Sequence, residues 1–296
     1  MSNEQQVTRI RNSQGFIAAL DQSGGSTPKA LSQYGILPEA YAGPEEMFNR
    51  AHEMRTRIMT AQSFSSKAIL GAILFADTLD REVQGMPTAE YLWEKKGIVP
   101  FLKIDQGLDT SANGVQLMKP IPSLDQILAS AKNGGVFGTK QRSVISSSNA
   151  GGISSIVAQQ IELAKRVLDF GLVPILEPEI LIDIPDKLNA EKILLEELLN
   201  GFEEISDNGA IMVKLSLPTT ANLYLPIVNH RKVLRVLALS GGHSQEKANE
   251  ALSKNNGVIA SFSRGLSVGL CSDQTETDFN QVLSVSIGKI FSASIA

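Results

Sequence analysis

A lysine interrupts an apolar run at Ile211-Met212-Val213-Lys214-Leu215. Taking an ammonium ion out of water is unfavourable and lysine is depleted from strands, so this placement needs a reason. Two are open. Lys214 can lay its stem on apolar surface and return its charge to solvent at a sheet edge. Alternatively it is held inside as a nucleophile, because burial and a second cation lower a lysine pKa, towards ~7–8 in tuned cases, and release the neutral amine that attacks a carbonyl. Imine chemistry of that kind needs a proton carrier and a neighbouring positive charge. Glu177 and Glu179 follow the apolar run 172–176, and Lys140 follows the run 136–139. If these runs are adjacent strands, Glu177 and Lys140 face the same cavity as Lys214.

A second group of residues suits anions. Leu239-Ser240-Gly241-Gly242-His243-Ser244 is a glycine-rich turn before a helical segment holding Glu246 and Ala248. Backbone N–H groups in such a turn, with a helix N-terminus behind them, can cradle a phosphate, although the motif alone equally describes a tight turn. Arg264 closes the next apolar run, and barrel phosphate sites are often built after strands seven and eight. Asp21-Gln22-Ser23-Gly24-Gly25-Ser26, with Lys103 and Arg142, can hold a second anionic group; those two cations can equally serve internal ion pairs. A phosphorylated small molecule is therefore the expected ligand. No metal and no cofactor is expected, since His52, His230 and His243 lack metalloenzyme spacing and no G-x-S-x-G, P-loop or G-x-G-x-x-G run is present.

These residues occupy one place in a repeating pattern. Apolar runs at 15–20, 68–75, 99–104, 136–139, 172–176, 210–217, 233–239 and 257–262 read as strands buried on both faces. The polar residues sit at their ends, Asp77 after the second among them. Between the runs lie helical stripes, one of Ile153, Ile156, Val157, Ile161, Ala164 and Leu168, another of Leu195, Leu198, Leu199 and Phe202. Gly43-Pro44-Glu45-Glu46 and Asp273-Gln274-Thr275-Glu276 signal helix starts, and a last helix runs towards Ala296. Eight strand–helix units close a parallel barrel, whose chemistry gathers at the C-terminal strand ends; an open doubly wound sheet is the alternative. The expected fold is α/β, a single (β/α)8 TIM barrel over residues 1–296, with no linker or low-complexity tract to divide it.

Apolar residues form 43% of the 296 and charged ones 20%, which suits a soluble domain with a sizeable core. The net charge of -4 leaves no basic excess for nucleic acid or an anionic membrane. Cys271 is the only cysteine, and neither a leader nor an apolar run of membrane-spanning length is visible. A cytoplasmic enzyme is expected, monomeric or homo-oligomeric.

Together, Phe16-Ile17-Ala18-Ala19-Leu20-Asp21-Gln22-Ser23-Gly24-Gly25-Ser26, Leu172-Val173-Pro174-Ile175-Leu176-Glu177-Pro178-Glu179-Ile180 and Leu239-Ser240-Gly241-Gly242 resemble class I fructose-1,6-bisphosphate aldolase, especially its shorter bacterial branch. The resemblance covers nearly the whole chain. It implies a metal-independent lyase of glycolysis and gluconeogenesis that reversibly cleaves fructose 1,6-bisphosphate to dihydroxyacetone phosphate and glyceraldehyde 3-phosphate. By position it implies Lys214 as the Schiff-base lysine, Glu177 as proton shuttle in carbinolamine dehydration and Asp21 as acceptor of the C4 hydroxyl proton. Lys140 would keep the site electropositive and Glu179 would orient these groups. Ser240, Gly241 and Arg264 would hold the C1 phosphate, and Lys103, Arg142, Ser23 and Ser26 the C6 phosphate. Two departures stand out. Longer members end in a tail with a terminal tyrosine, whereas the last residues here are Phe291-Ser292-Ala293-Ser294-Ile295-Ala296, so proton exchange at the enamine is expected to use another group. Phe262-Ser263-Arg264 replaces the usual aromatic-Gly-Arg. Another phosphosugar barrel enzyme, such as a transaldolase-like or tagatose-bisphosphate aldolase, or a catalytically silent phosphometabolite-binding barrel, is the alternative.

Overall fold

The computed structural model describes residues 3–296; Met1 and Ser2, which open the polar N-terminal stretch, lie outside it. Eight parallel strands succeed one another: β1 Phe16–Leu20, β2 Ile69–Leu74, β3 Val99–Lys103, β4 Gly138–Ile145, β5 Val173–Ile180, β6 Ile211–Ser216, β7 Val233–Leu239 and β8 Val258–Ala260. The main helices are α1 Asn3–Asn12, α2 Ser26–Gln33, α3 Gly43–Thr60, α4 Leu124–Asn133, α5 Ala150–Asp169, α6 Lys187–Glu203, α7 Gln245–Leu252 and α8 Glu276–Ser294. Each strand pairs with the next, and β8 returns against β1, so the sheet curls into a nearly closed (β/α)8 TIM barrel with its helices outside.

Side chains alternate between the lumen and the helix layer. Outward residues such as Phe16, Ala18, Leu176, Val213 and Leu215 pack under the helices. Inward residues change character along each strand. Ile17, Phe101, Ile175, Met212, Leu237 and Ile259 fill the lower lumen together with Ile10 of α1. Two residues further along, or four, stand Asp21, Lys103, Glu177, Lys214 and Ser261. Helix α1, which carries no signal in the strand rhythm, closes the lower end: Arg235 of β7 donates to the carbonyls of Ile10, Arg11 and Ser13 and so caps its C-terminus.

Several boundaries differ from the sequence pattern for identifiable reasons. β4 continues past the apolar run 136–139 to Ile145, in full register with β5. Its polar half satisfies both faces: Lys140 and Arg142 enter the cavity, while Gln160 of α5 donates to Gln141 O and Ser143 Oγ at 3.3 and 2.8 Å. β5 likewise extends through Glu177 and Glu179 to Ile180. β8 ends early at Ala260, and Arg264 begins a separate helical turn, Arg264–Ser267. Helix α8 starts at Glu276 with Thr275 as its cap, not Asp273: Thr275 Oγ1 accepts from Asp278 N at 3.1 Å.

Gly138 opens β4 where the strands crowd. A Cβ there would stand 2.1 Å from the Val173 carbonyl oxygen and 3.0 Å from the Phe101 ring. Gly138→Ala should therefore lower stability by about 1–3 kcal/mol or more, since β4 and β5 must move apart. Gly288, inside α8 with open space around its Cβ position, is the control. Gly288→Ala should raise stability by about 0.5–1 kcal/mol, and urea unfolding of both variants reads the contrast.

Candidate active site

The polar strand ends enclose a cavity of about 580 Å³. Every residue singled out for function lines it: Lys214, Glu177, Asp21, Lys140, Glu179, Ser240, Gly241, Arg264, Lys103, Arg142, Ser23 and Ser26. Asp77 does not; it forms an ion pair with Arg81 at 3.0 Å on a helical turn after β2. The histidines are scattered, with His52 Nε2 bonded to Glu82 O, His230 beside Phe202, and His243 in a side pocket next to Arg264.

The floor is a lattice of opposite charges. Lys140, Glu177 and Lys214 are only 2%, 3% and 4% exposed. Lys140 Nζ lies 2.7 Å from Asp21 Oδ2, 2.9 Å from Glu177 Oε2 and 3.8 Å from Asp105 Oδ2. Lys214 Nζ lies 2.9 Å from Glu177 Oε1. Glu177 thus touches one lysine with each oxygen, and the contact of Oε2 with Lys140 is an ion pair without hydrogen-bond angles. Lys103 Nζ pairs with Asp105 Oδ1 at 2.6 Å and Arg142 Nε with Glu179 Oε2 at 2.5 Å. The internal ion pairs left open for Lys103 and Arg142 are therefore present. Arg264 and Lys29, both exposed at the rim, have no ion-pair partner among the described residues.

The electrostatics follow from that lattice. Burial alone would push the Asp21 carboxyl up, but Lys140, Lys214 and Lys103 outweigh it and hold the group well below the ordinary carboxylate range. Burial likewise opposes ionisation of Glu177, and Lys140 and Lys214 overcome it. Lys140 is the mirror image: burial pulls its pKa down, and Asp21, Glu177 and Asp105 raise it above the usual lysine value. Lys140 is thus a permanent cation, and the two carboxylates are ionised at neutral pH.

At the rim, Gly241 has φ +59°, and a Cβ on it would meet Ile182 Cγ2 at 2.7 Å, so glycine is required to turn the chain after β7. Ser244 caps α7 behind this turn by accepting from Lys247 N at 3.3 Å. After β1, Ser26 Oγ accepts from Ser23 N and donates to Ser23 O, which ties that loop to the start of α2. The lining residues given no role by sequence reasoning include Asp105, Lys29, Gln22, Ser261 and Ser263. Asp105 and Ser261 are legible as inward positions two residues beyond Lys103 and Ile259, and Lys29 as one turn beyond Ser26 on the same helix.

Comparison with known proteins places the chain in a family. Residues 5–217 match the family described as fructose-bisphosphate aldolase class-I. The chain is 53% identical over 293 residues to fructose-bisphosphate aldolase class 1 of a Synechocystis species, covering 99% of this chain and 98% of that protein. The protein of the same name from Porphyromonas gingivalis is 52% identical, with 99% of each chain covered. A solved structure of fructose-bisphosphate aldolase from Plasmodium falciparum shares the fold with a TM-score of 0.78 at 22% identity, covering 99% of this chain and 93% of that one.

The Lys140 bridge makes a prediction about stability. Asp21 and Glu177 have folded pKa values below their unfolded ones, so their stabilisation is complete above about pH 4 and is lost as pH falls through the lowered values. Lys140→Met reverses the sign: burial then dominates, and the raised carboxyl values favour the folded state at lower pH. The variant should lose about 3–5 kcal/mol at pH 7 and regain part of it at about pH 5. Urea unfolding at both pH values measures the gap; a gap that does not change with pH contradicts the bridge.

Proposed function

The chain belongs to the class-I fructose-bisphosphate aldolase family, and from that premise we propose that Lys214 captures the C2 ketone of fructose 1,6-bisphosphate as an imine. One observation carries the reading: Lys214 is buried at the cavity floor with Glu177 Oε1 2.9 Å from its Nζ, a carboxylate in reach of every proton that imine formation must move. Lys214 first passes a proton to Glu177; the neutral amine attacks C2, a proton moves from nitrogen to oxygen in the carbinolamine, and Glu177 returns its proton to the departing hydroxyl, so that water leaves as the iminium forms. Asp21 then takes the C4 hydroxyl proton while the C3–C4 bond breaks, and the bonding electrons flow into the iminium to leave an enamine.

At rest Asp21 is a weak base, because Lys140 and the charge at Lys214 hold it ionised. Cleavage itself changes this. As electrons reach the iminium its positive charge disappears, one of the cations that depress Asp21 is removed, and the carboxylate becomes a better proton acceptor. Lys140 stays charged throughout and keeps Asp21 and Glu177 in place. Glyceraldehyde 3-phosphate leaves first, and the enamine must be protonated and hydrolysed before dihydroxyacetone phosphate follows.

Phosphates suit the rim. Ser240, Gly241 and the guanidinium of Arg264 would take the C1 phosphate. Ser23 and Ser26 at the start of α2, with Lys103 and Arg142, would take the C6 phosphate, and Lys29, which has no ion-pair partner among the described residues, adds a cation on the same side. The substrate is a phosphosugar, and one barrel over the whole chain would carry every group in a cytoplasmic enzyme.

Borohydride reduction with dihydroxyacetone phosphate, followed by peptide mass spectrometry, should leave a stable adduct on Lys214; an adduct elsewhere, or none, defeats the proposal. Lys214→Met should lose cleavage by at least about 10³-fold while keeping its unfolding midpoint. Arg264→Ala should chiefly raise KM, by about 10- to 100-fold, as expected for loss of a charge-assisted bond to phosphate.

A further inference from the structure

The loops after β1 and β8 come from opposite ends of the chain, yet one side-chain hydrogen bond joins them. Gln22 Nε2 donates to Ser263 Oγ at 2.5 Å across 241 residues of sequence. Among the described residues it is the only side-chain hydrogen bond between 21–26 and 261–267. Gln22 stands between Asp21 and Ser23, and Ser263 directly precedes Arg264, so the bond links the loop of one anion-binding group to that of the other. Both side chains line the cavity.

Each partner is anchored from behind. The Gln22 carbonyl accepts from Arg55 Nη2 at 2.5 Å and from Thr27 Oγ1 at 3.4 Å. Arg55, in α3, is 1% exposed, and its Nη1 donates to Thr78 Oγ1 at 2.6 Å after β2. On the other side, the Ser263 carbonyl accepts from Leu266 N at 3.2 Å, and Gln245 of α7 donates to Gly265 O at 2.7 Å. A continuous chain of hydrogen bonds therefore runs from α3 through Arg55, Gln22 and Ser263 into the turn that carries Arg264, and on to α7 behind the glycine turn.

We infer that the Gln22–Ser263 bond is a latch that fixes the separation of the two phosphate-binding loops, making Gln22 and Ser263 positioning residues that select ligands phosphorylated at both ends of a six-carbon chain. This rests on the two-phosphate reading of the cavity. A bisphosphate touches both loops at once and binds more tightly when their spacing is set beforehand, since it need not order them itself. A monophosphate touches one loop and draws nothing from the spacing. Neither latch residue carries charge, so its removal leaves the net charge of the site unchanged.

Gln22→Leu and Ser263→Ala each remove the bond and keep every charge. Hexitol 1,6-bisphosphate and hexitol 1-phosphate have no ketone, so calorimetric binding of the pair reads the latch without imine formation. Each single variant should lose about 3- to 10-fold in bisphosphate-over-monophosphate preference, the range of one neutral hydrogen bond, and the double variant no more than either single. Ser263→Thr, which keeps the hydroxyl, should retain the parental ratio. An unchanged ratio in the single variants, or losses that multiply in the double, overturns the latch. Borohydride trapping of dihydroxyacetone phosphate in the parent reads Lys214 separately, so failure of the aldolase reading is distinguishable from failure of the latch.

Discussion

The ammonium of Lys140 is the point on which the C-terminal half of the barrel is balanced. It is buried, and Asp21, Glu177 and Asp105 share it. An isolated charge in that position would cost many kcal/mol of lost hydration, so it persists only inside a network in which every member is compensated. Two of its three partners reach a further donor: Glu177 meets Lys214, Asp105 meets Lys103, and Asp105 Oδ2 also accepts from the backbone N of Arg142 at 3.2 Å. The result is a floor of alternating signs in which loss of Lys140 leaves Asp21 with no ion-pair partner among the described residues, whereas Glu177 and Asp105 each keep a second lysine. Such a network holds its geometry because the alternatives leave a buried charge unpaired.

The barrel makes that lattice possible through register. Lys103 of β3 stands opposite Lys140 of β4, and two lysines side by side would repel. Asp105, one inward step beyond Lys103, separates them by presenting one oxygen to each. Arg142 stands opposite Glu177 on β5, which brings opposite charges to neighbouring strands at the same height. Below this level the inward residues are Phe101, Ile175 and Met212, a packed apolar plug that gives the charged layer a dry base and excludes water from beneath it. On β3, β5 and β6 the change from apolar to charged takes two residues, one step of the β alternation, and on β1 it takes four.

That same change governs how much could be read from the sequence. The apolar lower halves are visible as buried runs, and seven of the eight stand out. The run at 136–139 is the weak one because half of β4 is Lys140-Gln141-Arg142-Ser143, residues the cavity and α5 satisfy but which mimic a loop. Strand signal fades where functional density is highest, since a strand that lines a charged cavity cannot also be apolar. Lys214 is the complementary case: its strand was plain, its role ambiguous, and the neighbourhood of Glu177 was needed to interpret it. The Gln22–Ser263 contact has no local signature at all, because two polar residues in separate loops meet only through closure of the barrel. The same holds for α1, whose place beneath the lumen depends on Arg235 far along the chain.

The two oxygens of Glu177 perform different duties on the proposed reading. Oε2 faces Lys140, whose charge does not vary, while Oε1 faces Lys214, whose nitrogen passes from ammonium to neutral amine to iminium to enamine. The proton affinity of Glu177 must follow that sequence: it rises whenever the Lys214 nitrogen is neutral and falls whenever it is positive. Glu177 is therefore driven to take a proton as the free amine appears and to give it up as the iminium forms, which is the order that carbinolamine dehydration requires. Lys140 limits the excursion by keeping one constant cation beside the carboxylate. The rim has the opposite character, with Arg264 and Lys29 uncompensated among the described residues and available to a ligand. A substrate's phosphates can thus bind without disturbing the floor, and the floor can move protons without releasing the phosphates.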